Sequence, residues 1–149
     1  MIQRIQTLFL ILAAGAAAGQ IPTPYLSAGE GNPARTLPVM ADGVLTATDN
    51  IGLLGLCALV ALLTLAAVFL YNNRPLQGRI SSMAGIAALF CAALAGLQMY
   101  QTMQAVPEGG TLQMGAGIGL PVLAILFAGL AGKYIRKDEK LVRSADRLR

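Results

Sequence analysis

The chain has 149 residues, of which 56% are hydrophobic and only 12% charged, about half the charged share of a soluble domain, which is about 25%. A bilayer core about 30 Å thick takes about 20 consecutive apolar residues, so this length holds four spans and leaves no room for a second folded domain. The net charge of +4 does not point to nucleic acid, because the basic residues follow a membrane pattern instead of covering a soluble surface. No histidine occurs, which removes the commonest metal ligand, the usual axial ligand of a b-type haem and the usual general base.

The first uncharged run lies between Arg4 and Glu30 and predicts a span over about residues 5–25. Arg4, the apolar residues 8–12 and the small residues 14–19 also fit a secretory signal peptide. The uncharged stretch continues past any cleavage site in the alanines to Tyr25, so a retained helix is expected. The loop 26–50 follows, and Pro22, Pro24, Gly29, Gly31 and Pro33 forbid a continuing helix. Within it, residues 36–40 and 44–48 are β-prone and flank Ala41, Asp42 and Gly43, the pattern of a short hairpin.

A second span is predicted over residues 51–71, with Thr64 its only clearly polar residue, and a third over 80–103, opening on Ser81 and Ser82 and closing on Gln98, Gln101 and Thr102. The fourth covers 114–132 and contains Pro121, which would kink a water-exposed helix but is tolerated in a bilayer helix where neighbours re-satisfy the backbone. In the tail, 133–149, Lys133, Arg136, Lys137 and Lys140 cluster against the membrane, and Leu141, Val142, Ala145 and Leu148 fall at helical spacing. An amphipathic helix is expected there, anchored on the lipid surface through those cations with Arg143 and Arg147, or docked on a partner.

Four spans put ten of the eleven Lys and Arg on one side, at Arg4, Arg74, Arg79 and the tail, and leave Arg35 opposite with Glu30, Asp42, Asp49 and Glu108. The excess of positive charge on the cytoplasmic side of membrane proteins then places both termini in the cytoplasm. No Asp, Glu, Lys or Arg falls inside a predicted span, which argues against a proton relay, a voltage sensor or an ion-coupled transporter. Ser81 and Ser82 have no base to activate them. Cys57 and Cys91 are expected to be small buried hydrophobes at different depths, unable to pair. No catalytic residue, metal ligand or cofactor is therefore expected.

Small residues recur four apart at Gly15 and Gly19, Ala92 and Gly96, Gly115 and Gly119, and Ala128 and Gly132. Such faces allow close helix approach, expected first inside one bundle and otherwise against a partner subunit. Gln98, Gln101 and Gln104 recur beside Tyr100 at the outer end of the third span, where a wet helix end is the plainer reading and contact of Gln98 and Gln101 with a quinone or lipid headgroup the sharper one. Tyr25, Tyr71, Tyr100 and Tyr134 all fall near predicted ends, as an aromatic belt requires.

Residues 1–10, MIQRIQTLFL, and 135–149, IRKDEKLVRSADRLR, resemble the conserved ends of a bacterial family of four-span inner-membrane proteins whose function is not established. The resemblance implies four helices with cytoplasmic termini and supplies no catalytic residue; with the span pattern, the expectation is one all-α membrane domain, a four-transmembrane-helix bundle with a short extracytoplasmic loop. The role expected first is a non-enzymatic accessory or scaffold subunit of a larger inner-membrane complex. Its expected partners are membrane lipids and other membrane subunits, a homo-oligomer included, and no nucleic acid. The alternative is binding or transport of a neutral lipid-like or quinone-like molecule at the outer ends of spans three and four.

Overall fold

Apolar runs separated by Pro, Gly and Asn become helices because nothing inside them competes for the backbone. A computed structural model describes the backbone of residues 2–146 and the side chains of residues 5–141. Among these residues there are four α-helices, α1 (Ile2–Gly19), α2 (Ile51–Phe69), α3 (Arg74–Ala105) and α4 (Gly119–Asp146). Each packs on the next in sequence, and α4 closes the ring on α1, the up-and-down arrangement of a four-helix bundle. One end, called the termini end, carries the start of α1, the end of α4 and the α2–α3 turn; the other carries the long loop and is called the cap.

Side chains set the helix ends. The Asn50 Oδ1 accepts from the amides of Gly52 and Leu53 at 2.9 and 3.2 Å and starts α2. Asn73 does the same for α3 through Leu76, and Gln77 turns back to donate to the Ala67 carbonyl at the end of α2, 2.9 Å away. At the end of α1 the Thr23 hydroxyl donates to the Gly19 carbonyl at 2.6 Å, while Pro22 and Pro24 have no N–H to continue the ladder.

α2, α3 and the stretch Ala116–Leu141 are long and apolar enough to cross a membrane, whereas the described apolar part of α1, Ile5–Gly19, is shorter. α1 nevertheless lies along α4. Gln6 donates to the Tyr134 carbonyl at 3.0 Å, the Phe9 ring stacks on Tyr134 and Phe127 at 5.5 and 6.3 Å, and Gly19 faces Leu120 at the other end.

Several boundaries differ from those the sequence predicts. α1 stops at Gly19, short of residue 25, and α3 extends its span at both ends. α4 starts at Gly119, so Pro121 stands in the first turn, where its missing N–H would have no partner within the helix anyway. The tail is no separate helix: α4 runs unbroken to Asp146, held beside the start of α3 by an ion pair of Arg74 with Asp138 at 3.1 Å. Arg143 lies on this helix, its side chain outside the described part, and Arg147 lies outside the described residues.

At the cap a three-stranded antiparallel sheet has β1 (Leu26–Ser27) in the middle, flanked by β2 (Val44–Leu45) and β3 (Gln113–Met114). The hairpin expected within the loop is thus replaced. Residues 44–45 are a strand, but they pair with β1, and Pro33–Thr36 and Pro38–Met40 form 3-10 turns. Arg35 explains its own position: its guanidinium donates to the Ala28 carbonyl at 3.2 and 3.3 Å and lies over Gly43, whose φ of +86° makes the turn into β2.

The interior is lined by small residues, among them Ala13, Ala17, Ala67, Ala88 and Ala131, while Leu62 and Phe90 are each 65% exposed. Large apolar groups outside and small ones inside suit a lipid surround, in which helices associate by backbone approach.

Gly117 and Gly15 show two opposite uses of glycine. A Cβ on Gly117 would stand 2.7 Å from the Pro24 carbonyl oxygen and 2.9 Å from that of Thr23, whereas one on Gly15 meets nothing within 4 Å. Gly117→Ala is expected to destabilise the purified protein by about 1–3 kcal/mol, and Gly15→Ala to stabilise it by about 0.5–1 kcal/mol through helix propensity. Thermal unfolding in detergent reads both, and equal effects would show that the close approach at Pro24 is not needed.

Candidate functional site

α3 stands higher than its neighbour α2. Cys91 lies level with Cys57, and Gln98, further along, lines a cavity with Asn50 at the very start of α2. The last two turns of α3 therefore project past α2, and the loop packs against their side. The cavity between them holds about 340 Å³ and is lined by Leu37, Pro38 and Val39 of the loop, Asp49 and Asn50, and Gln98, Gln101, Thr102 and Ala105 of α3.

Gln98 is 8% exposed, and its Oε1 is buried with no hydrogen-bond partner among the described residues. Three of its polar neighbours are already engaged. The Asn50 Oδ1 caps α2, the Asp49 carboxylate accepts from the Thr46 amide and hydroxyl at 2.6 and 3.1 Å, and the Thr102 hydroxyl donates to the Gln98 carbonyl at 2.9 Å. A side-chain amide presents either its oxygen or its nitrogen after a flip, so Gln98 can meet a hydroxyl donor or a carbonyl acceptor. With apolar walls at Leu37, Pro38, Val39 and Ala105, the cavity fits a molecule with a small neutral polar head and an apolar body. The Asp49 carboxylate disfavours an anion there.

Gln98 and Gln101 are thus brought together on one cavity. Gln104 is not: its amide donates to the Tyr100 hydroxyl at 2.8 Å on the exposed side of α3.

A second polar cluster lies deeper and was not foreseen from the sequence. The Tyr25 hydroxyl donates to Gln20 Oε1 at 3.1 Å, the Cys91 thiol lies 3.7 Å from the same oxygen, and the Cys57 and Cys91 sulfurs are 3.5 Å apart as free thiols. Counting residues from the helix ends placed the two cysteines at different depths; the projection of α3 beyond α2 brings them level. Tyr25 stands beyond the end of α1 and is 1% exposed, so it points inward and does not belong to a belt. Tyr71 and Tyr100 are exposed near helix ends, and Tyr134 is half-buried against Phe9.

The small residues divide into two sets. Gly115 packs against the Pro24 carbonyl, Gly19 against Leu120 and Gly132 against Ser81, and Ala128 is buried. Gly15, Gly96 and Gly119 face outward, where an added Cβ meets nothing within 4 Å, and Ala92 is half-buried. At the termini end Lys133, Arg136, Lys137 and Lys140 are all exposed or partly so and line one hollow of about 500 Å³.

No curated protein and no solved structure matches the chain. A family model described as a domain of unknown function (DUF4293) matches residues 2–148, nearly the whole chain, and the protein belongs to that family.

Proposed function

We propose that the protein is a non-enzymatic, four-span membrane protein that binds a neutral lipid-like or quinone-like molecule at the cap end of α3. The observation that carries this reading is the buried, unpartnered Gln98 oxygen beside a cavity of about 340 Å³ with apolar walls. An orphaned buried amide costs about 1–3 kcal/mol, a cost that a bound hydroxyl or carbonyl group removes. α1 is taken as the fourth span because it follows α4 from Tyr134 to Leu120, about 21 Å at 1.5 Å per residue. The bacterial inner membrane is the proposed location, with both termini cytoplasmic. In support, Arg74, Arg79, Lys133, Arg136, Lys137 and Lys140 gather at the termini end, and Arg35, the cap's cation, is occupied structurally.

A second reading, an accessory or scaffold subunit of a larger membrane complex, draws on a different observation. Gly15, Gly96 and Gly119 leave smooth, unfilled patches on the outer faces of α1, α3 and α4, where another helix can approach closely. The two readings are compatible, since a subunit can carry a ligand.

Gln98→Leu separates binding from folding. Removing the orphan is expected to stabilise the unliganded protein by about 1–3 kcal/mol, while abolishing the stabilisation that decylbenzoquinone or monooleoylglycerol gives the wild type, about 2.7 kcal/mol at a hundred times Kd. A variant that is less stable yet still responds to the probes would overturn the binding reading. For the subunit reading, Gly15→Leu and Gly96→Leu are expected to leave the chain at least as resistant to thermal unfolding and to cut the proteins recovered with it from mild detergent at least about fivefold, the equivalent of about 1 kcal/mol. Recovery of the same partners in the same amount would sink it.

A further inference from the structure

A groove runs between α3 and α4 at the termini end, on the opposite side of the molecule's length from the Gln98 cavity. Its recess of about 270 Å³ extends along α3 from Ser81 to Leu89 and back along α4 from Ile125 to Arg136, about two and about three helical turns. Glycines keep it open: a Cβ on Gly85 or Gly129 meets nothing within 4 Å, and Gly132 lies under Ser81. The recess continues into a wider mouth of about 580 Å³, where Arg79 of α3 and Arg136 of α4 stand with Ser82 and Glu139. Glu139 has contacts of its own, and two guanidinium groups against one carboxylate leave the mouth positive. Arg136 also borders the hollow of Lys133, Lys137 and Lys140, in whose lining no carboxylate occurs.

Ser81 adds an independent observation. Ser82 turns its hydroxyl back to the Gly78 carbonyl at 2.9 Å, as a helical serine does. The Ser81 side chain is 1% exposed, and its oxygen has no partner among the described residues, although it lines the recess. A polar group is thus left unmet just inward of two cations, with an apolar channel beyond it.

We infer that this groove holds one anionic phospholipid of the surrounding leaflet. Its phosphate sits between Arg79 and Arg136, an ester carbonyl accepts from the Ser81 hydroxyl, and one acyl chain lies along Gly85 and Gly129 towards Leu89 and Ile125. The order of chemistry along the groove, two guanidinium groups, then a lone hydroxyl, then glycine and aliphatic side chains, follows the order of groups in a phospholipid. A free phosphate would use the mouth alone and leave Ser81 unmet. The inference rests on the chain's being a membrane protein and is independent of what the Gln98 cavity binds.

The test is native mass spectrometry of the full chain in mild detergent, supplied with equal phosphatidylglycerol and phosphatidylcholine. Wild type is expected to retain phosphatidylglycerol with at least about fivefold preference, and Arg79→Gln and Arg136→Gln each to lower that retention about fivefold. Gly129→Leu, whose Cβ meets nothing within 4 Å and whose isobutyl group enters the channel, is expected to abolish retention. Gly55→Leu, at an α2 glycine whose Cβ likewise meets nothing within 4 Å, keeps it, as does Gln98→Leu. Equal retention of the two lipids, retention by Gly129→Leu at the wild-type level, or displacement of the lipid by glycerol phosphate would each overturn the proposal.

Discussion

The cap depends on one contact, where the chain leaving α1 meets the chain entering α4. The Gly117 amide donates to the Pro24 carbonyl at 2.9 Å, and the Gly115 amide to the Tyr25 carbonyl at 2.8 Å. Backbones can come this close because neither glycine carries a Cβ, which at both positions would fall against Pro24. The pairing joins the first helix to the last and extends into β1 and β3. β1 then offers its other edge to β2, which draws the loop back over the bundle. The inward aim of Tyr25 follows from the same geometry: its amide bonds Leu45 and its carbonyl Gly115, so its ring is delivered to Gln20 and the two thiols.

The helices themselves were legible because a long apolar run bounded by Pro and Asn has few alternatives. Their ends were less so, since tertiary pairing decides them. Residues 113–117 are apolar enough to extend α4, but the sheet and the Pro24 contact use their amides first. Likewise residues 36–40 look β-prone, but Pro33 and Pro38 each start a tight turn, and β2 finds its partner in β1 instead of beside it in sequence. Arg35 reads as a stray charge in a count of basic residues, and only the carbonyl of Ala28, seven positions away, shows why it is there.

The displacement of α3 relative to α2 is the part hardest to read from sequence and the part that makes the candidate site. Hydropathy gives the length of a run but not its height beside another. With Cys57 level with Cys91 and Asn50 level with Gln98, the α3 residues beyond Gln98 rise about 10 Å above the start of α2. The loop, tied down by the bonds of Asn32 to Thr111 and of Thr46 to Asp49, covers that exposed flank without filling it. The glutamine spacing picked out Gln98 and Gln101, which line the cavity, and the cavity itself arises from a stagger that no spacing encodes.

Polar groups inside an apolar bundle are costly unless paired, and this chain satisfies nearly all of them with its own backbone. Gln6, Gln20 and Gln77 donate to carbonyls of Tyr134, Ala16 and Ala67, and the hydroxyls of Thr64 and Thr102 donate to the carbonyl four residues back. Arg74, which has a buried nitrogen outside hydrogen-bond geometry, is paired ionically with Asp138. The exceptions among the buried neutral side chains described are Gln98 and Ser81. Each borders a recess, one at either end of α3. Among the described residues the fold pairs the other buried neutral polar side chains and leaves these two open, so its unmet hydrogen-bonding capacity lies where a molecule from outside can reach the same walls, which makes both ends of α3 the places to look for ligands.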